Sequence, residues 1–253
     1  MRPLIVANRR ANRHNLNVTP PLDALLREYV TPGMRAAKWK KTRGNYTWQA
    51  DNGDRAIITF QRSLATRSDF SVFYIEVGIL PLPAAQMREY WHPLPKTPQA
   101  WHGTYRGRVM PGRDRWELPE DDVPSMGLVL KALIVDDVAP MLIQSLNRSV
   151  LLEWENDDSL MPKTVSWMGK GGGRLCLLAD TAPPEEIDAE IDRMRVARYV
   201  NRSGHINRLI QGFSYLADRY PDRYSYLRPE IEQLQSEFSV PLTSGTTGVD
   251  HQG

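Results

Sequence analysis

Apolar positions recur at helical spacing over Leu22, Leu25, Leu26, Tyr29 and Val30, so the first element predicted is a helix that buries this face. Thr19-Pro20-Pro21 opens it, a threonine cap followed by prolines where an amide hydrogen is not required. Pro32-Gly33 should kink or briefly interrupt the helix before Met34–Lys38. From Thr42 the period falls to two. Tyr46 and Trp48 alternate with polar residues, Asp51-Asn52-Gly53-Asp54 reads as a turn, and Ile57, Ile58 and Phe60 start a second run, which together predict a hairpin. Phe73, Ile75, Val77 and Ile79 alternate in a third strand ended by Pro81 and Pro83. A fourth strand is predicted over Trp101–Val109. Pro111-Gly112-Arg113-Asp114 then turns the chain into a short fifth strand around Trp116. Short turns between successive strands imply an antiparallel meander, with helix 22–38 on its apolar face.

Beyond Pro119 the pattern turns helical. Met126, Val129, Leu130, Leu133 and Ile134 form one stripe, and Met141, Leu142 and Leu146 another. Leu151–Trp154 and Arg174–Leu178 fit short strands or buried turns equally. Pro183-Pro184-Glu185-Glu186 opens a helix through Ile187, Ile191 and Met194. The clearest amphipathic stretch is Ile206, Leu209, Ile210, Phe213, Leu216 and Ala217, followed by Leu227, Ile231, Leu234 and Phe238. The fold class is therefore α+β: an antiparallel sheet of about five strands, one face covered by the N-terminal helix, then a mostly helical half. Residues 1–18 read as a flexible basic leader, 19–119 as helix plus sheet, 120–242 as helices packed with it in one domain, and 243–253 as a flexible tail.

Length and composition suit a core that needs no staples: 253 residues, 41% hydrophobic and 25% charged. The one cysteine, Cys176, excludes an internal disulfide and a thiolate metal cluster. Its setting in Leu175-Cys176-Leu177-Leu178 reads as a buried structural thiol. No apolar run is long enough for a signal peptide or a bilayer span, which predicts a cytoplasmic protein without a membrane partner. Charge is uneven. Residues 1–45 hold ten lysines and arginines against Asp23 and Glu28, so this segment carries +8 and the remainder −6. A basic end of this kind suits nucleic acid or an acidic partner, but no aromatic interleaves Arg2–Arg13 to stack on bases, and a solvated leader explains it as well.

The stretch Leu22–Trp116 carries a family pattern. Leu22-Asp23-Ala24-Leu25-Leu26 opens the helix, and Ala37-Lys38-Trp39-Lys40-Lys41 and Arg43-Gly44-Asn45-Tyr46-Thr47-Trp48 follow. Phe60-Gln61-Arg62-Ser63 and Phe73-Tyr74-Ile75-Glu76-Val77-Gly78-Ile79 come next, then Arg106-Gly107-Arg108-Val109 and Asp114-Arg115-Trp116. In this order they resemble the bacterial family known as domain of unknown function 4304, over residues 22–118. The resemblance implies the helix-plus-sheet fold and no particular activity. Glu76 stands where that family typically has an asparagine.

Strand parity points to the chemistry. If Phe73, Ile75, Val77 and Ile79 face the helix, Tyr74 and Glu76 face away, joined by Thr59, Gln61 and Ser63. On the fourth strand the apolar set Trp101, Tyr105 and Val109 should turn inward, which sends His102, Thr104, Arg106 and Arg108 to the polar face. Arginines two residues apart on a strand can hold a phosphate or carboxylate. Glu76 and His102 could exchange protons in a dry cleft. The competing reading is a solvated face of cross-strand ion pairs, each contributing about 0.2–1 kcal/mol.

Other motifs are weaker. The scattered histidines lack zinc spacing, and Glu153, Glu155, Asp157 and Asp158 lack the glycine and terminal glutamate of a calcium loop, so no metal is assigned. Gly169-Lys170-Gly171-Gly172-Gly173 lacks the ending of a phosphate loop, and no Gly-x-Ser-x-Gly elbow or cofactor motif occurs. Tyr215, Arg219, Tyr220, Arg223, Tyr224, Tyr226 and Arg228 fit either a binding patch or a helix corner with rings packed on guanidiniums. The leading expectation is a non-catalytic binding protein, of the immunity or antitoxin kind, that recognises a protein partner or an anionic ligand through the polar sheet face. The alternatives are an enzyme with Glu76 and His102 as acid–base pair and Gln61, Tyr74, Arg106 and Arg108 as binding residues, and a nucleic-acid binder through Arg2–Arg43. The pattern sets no oligomeric state.

Overall fold

The computed structural model of the protein describes residues 20–90, 93–110, 115–170, 173–197 and 202–239. The architecture is α+β, with a helical C-terminal half. Strands β1 (Lys40–Thr42), β2 (Asn45–Gln49), β3 (Arg55–Arg62), β4 (Phe70–Leu80), β5 (Tyr105–Val109), β6 (Trp116–Pro119) and β7 (Val165–Lys170) form a seven-stranded sheet. The order is β1-β2-β3-β4-β5-β7, every pairing antiparallel, with β6 against β4.

The predicted hairpin is β2–β3. Its turn holds Gly53 at φ +86°, a region that a side chain disfavours, and Asp54 N donates to Asn52 Oδ1 at 3.0 Å. Strand β1 was not expected; Arg43, at φ +56°, turns it onto β2, and its exposed lysines guard the sheet edge. The fifth strand does not extend the meander. Strand β4 is eleven residues long and β5 only five, so the free length Phe70–Phe73 takes β6 as its partner. Trp116 stacks on Phe73 there and donates its indole N–H to the Val109 carbonyl at 2.9 Å. The turn expected at Pro111–Asp114 lies outside the described residues.

The first helix runs without a break through Pro21–Leu25, Leu26–Val30 and Thr31–Ala36. Pro20 occupies its cap position and Thr19 lies outside the described residues; the Leu22 amide donates instead to Ser71 Oγ at 3.2 Å. Pro32 removes an amide and crowds the preceding turn, and the backbone answers with a wide, i+5 register over Leu26–Val30 rather than a break. Pro140 is treated the same way: Lys131–Val138 widens between Val123–Leu130 and Ala139–Gln144. The two helices interlock at these places. A Cβ on Gly33 would stand 2.5 Å from Val135 Cγ1, and one on Gly127 would stand 2.5 Å from the Tyr29 ring, so each wide turn seats a side chain over the other helix's glycine.

Both undecided segments are helical, Arg148–Asn156 and Leu175–Leu178. Strand β7, unforeseen, includes Gly169 and Lys170, so part of the glycine run is sheet rather than loop. Helix Leu82–Glu89 was also missed: Pro81 ends β4, but Pro83 sits in the first turn, where proline suits a helix. One buried cluster extends from Leu22 to Leu234. An ion pair is sunk in it. Asp54 accepts from Arg148 Nε and Nη2, both at 2.9 Å, and from the Leu82 amide at 2.7 Å. The hairpin turn thus pins two helix starts. Leader residues 1–18 and tail residues 243–253 lie outside the described residues.

Candidate functional site

Register decides which side chains share a face, because directly paired residues point the same way. Thr59 pairs with Glu76, Glu76 with Arg108, and Arg108 with Ser166; Asn45 continues the row beyond Thr59. A polar row therefore crosses five strands on the face away from the first helix. Gln61 pairs with Tyr74 on one side of it, and Gly78 with Arg106 on the other. Gln61, Tyr74, Glu76, Arg106 and Arg108 do stand on one face.

That face is only partly roofed. The single turn Ala100–His102 lies on it, with the Ala100 amide donating to Thr59 Oγ1 at 2.9 Å. Gly78 makes the contact fit, since a Cβ there would be 2.3 Å from the Ala100 carbonyl oxygen. Here the strand predicted over Trp101–Val109 is corrected: it begins at Tyr105, so alternation does not reach back to residues 101 and 102. Trp101 is not in the core but 39% exposed.

Beside the roof lies a cleft of about 280 Å³ lined by Glu76, Val77, Trp101, Arg106, Gly107, Arg108 and Met168. Glu76 is its floor and is 6% exposed. Its Oε1 accepts from Arg108 Nη2 at 3.1 Å and Nε at 3.3 Å, while Oε2 is buried and meets no donor among the described residues. Arg108 lies 4.7 Å from the centre of the Tyr74 ring, a cation–π contact that helps to hold the guanidinium in place. Arg106 is exposed and has no ion-pair partner among the described residues. Arg88 adds positive charge nearby; its guanidinium titrates lower than usual, through burial and then through Arg106.

His102 does not line this cleft. Its Nδ1 accepts from the Gln99 amide at 2.9 Å, and Arg88 donates to its carbonyl oxygen. Burial lowers its pKa, against the raising effect of the Gln99 backbone and with a lowering contribution from Arg88. His102 thus clamps the roof and stands apart from the carboxylate. Gln61 is exposed and outside the cleft. Three residues of the cleft region had escaped the sequence reading. Trp101 was assigned to the core, Met168 belongs to the missed β7, and Arg88 to the missed helix 82–89.

The other candidates have structural roles. Cys176 is buried and its thiol is pushed up to about 12 by that burial first. Glu155 accepts the Tyr105 hydroxyl at 2.6 Å, and no group of three or more His, Cys, Asp or Glu gathers among the described residues. The tyrosine–arginine patch is a helix corner: Arg223 lies over Tyr224 and pairs with Asp188, Arg228 pairs with Asp218, and Tyr215 and Tyr220 both donate to Asp180. No helix of the described residues is long and apolar enough to cross a membrane. No family model, no curated protein and no solved structure matches this chain.

Proposed function

We propose that this chain is a non-catalytic binding protein that takes an anionic group, from a small ligand or an acidic partner, in the cleft on the polar sheet face. The observation that carries this reading is Arg106. It stands exposed, without an ion-pair partner among the described residues, beside the Glu76–Arg108 pair, in a concave place where Arg88 reinforces the positive field. A carboxylate or phosphate would complete it through charge-assisted hydrogen bonds. The acid–base reading has less support, because His102 spends Nδ1 on Gln99 and does not line the cleft. The resemblance of residues 22–118 to the domain of unknown function 4304 is likewise proposed and carries no activity.

Calorimetric titration with inorganic pyrophosphate tests the reading. Binding should weaken as salt is added and be lost in Arg106→Gln, a change at an exposed side chain that leaves the fold intact. Pyrophosphate binding that ignores Arg106→Gln, or no binding at all at low salt, overturns it.

A further inference from the structure

Resting on that reading, we infer that the cleft takes a nucleotide, with a base N–H donating to Glu76 and the phosphate on Arg106. A cleft that accepted only an anion would have no use for Glu76 Oε2. This oxygen is buried, on a side chain more than nine-tenths shielded, and meets no donor among the described residues, and Glu76 lines the same cleft as Arg106. A buried carboxylate oxygen in that condition calls for a donor on what enters. Arg108 is already committed to Oε1, so the pair is neutral at that end and a neutral N–H suits it. An ammonium would be placed among Arg106 and Arg108, at an electrostatic cost.

Spacing separates the two ends of the ligand. Glu76 pairs with Arg108, and Arg106 lies two residues further along β5, roughly 7 Å away. The long, exposed Arg106 side chain can carry its guanidinium further still from Glu76, which leaves room for a base edge and its phosphate. Trp101, 39% exposed, and Met168, 49% exposed, supply an apolar lining to the same cleft. A flat indole and a soft thioether are the surfaces on which a planar base stacks. Donor, plane and anion together describe a nucleobase linked to phosphate, whether free or at an unpaired position of a strand.

The full chain is titrated with AMP, CMP, GMP and UMP, with their nucleosides, with ribose 5-phosphate, and with a short single-stranded oligonucleotide carrying the preferred base. The best nucleotide should bind about tenfold or more tighter than ribose 5-phosphate, the gain expected of a hydrogen bond to a charged acceptor. Glu76→Gln should close that gap. Trp101→Ala, which leaves the Glu76–Arg108 pair in place, should close it as well, by about tenfold. Arg106→Gln should remove the advantage of nucleotide over nucleoside. Tighter binding of the oligonucleotide identifies a strand as the source, and equal binding a free nucleotide. If all four nucleotides merely match ribose 5-phosphate while pyrophosphate still needs Arg106, the nucleotide is excluded and the anion site stands. If neither pyrophosphate nor any nucleotide binds, both fall.

Discussion

Asp54→Asn should be among the most damaging conservative changes in this protein. Asp54 is 1% exposed and its carboxylate receives Arg148 through two bonds of 2.9 Å, the Leu82 amide at 2.7 Å, and the Asn52 side chain at 3.1 Å. Asparagine preserves size but removes the charge and turns an NH2 group toward donors. Arg148 would be left as a buried cation, and its Nη1 already meets no acceptor among the described residues. Breaking a buried pair from one side costs about 3–5 kcal/mol. In a chain of this length that corresponds to a fall in Tm of about 6–20 °C, at about 2–4 °C per kcal/mol. Urea unfolding followed by circular dichroism, with Cm compared at constant m, measures it. The double change Asp54→Asn with Arg148→Met removes both charges and should recover about 1–4 kcal/mol of the loss. A single mutant within about 1 kcal/mol of the parent, or a double mutant no better than the single, would show that the pair is not what pins the hairpin turn.

Gly127→Ala reverses a general rule: the usual helix gain of about 1 kcal/mol should become a net loss of about 1–2 kcal/mol, because the methyl would meet the Tyr29 ring. In a Tyr29→Ala background the same change should turn stabilising, and denaturant melts of the four variants decide whether the contact is responsible. The depressed pKa of His102 means that the unfolded chain binds its proton more readily. Its contribution is therefore complete above the ordinary value of 6.5 and is lost as pH falls through the folded value. His102→Asn should flatten that share of the stability slope between about pH 7 and pH 5, and an unchanged slope by chemical denaturation would refute the assignment.

Local periodicity made much of this fold readable. Alternation in Phe73–Ile79 placed β4, the Asp51–Asp54 turn placed the hairpin, and the same parity set Tyr74, Glu76, Arg106 and Arg108 on one face, since a two-residue repeat leaves no other arrangement once the apolar set is buried. The amphipathic stripes of Leu209–Ala217 and Leu227–Leu234 are buried for the same reason. What the tertiary structure alone decided were matters between distant segments. Strands β1 and β7 are short, and they exist because a neighbour offers them a hydrogen-bonding edge. Trp101 leaves the expected pattern because its turn seats on Gly78, far along the chain, and so becomes the wall of a cleft instead of core. The loneliness of Glu76 Oε2, the freedom of Arg106 and the burial of Asp54 with Arg148 are likewise relations among residues tens of positions apart. Periodicity reports which side of its own element a residue occupies; only packing determines what stands opposite it.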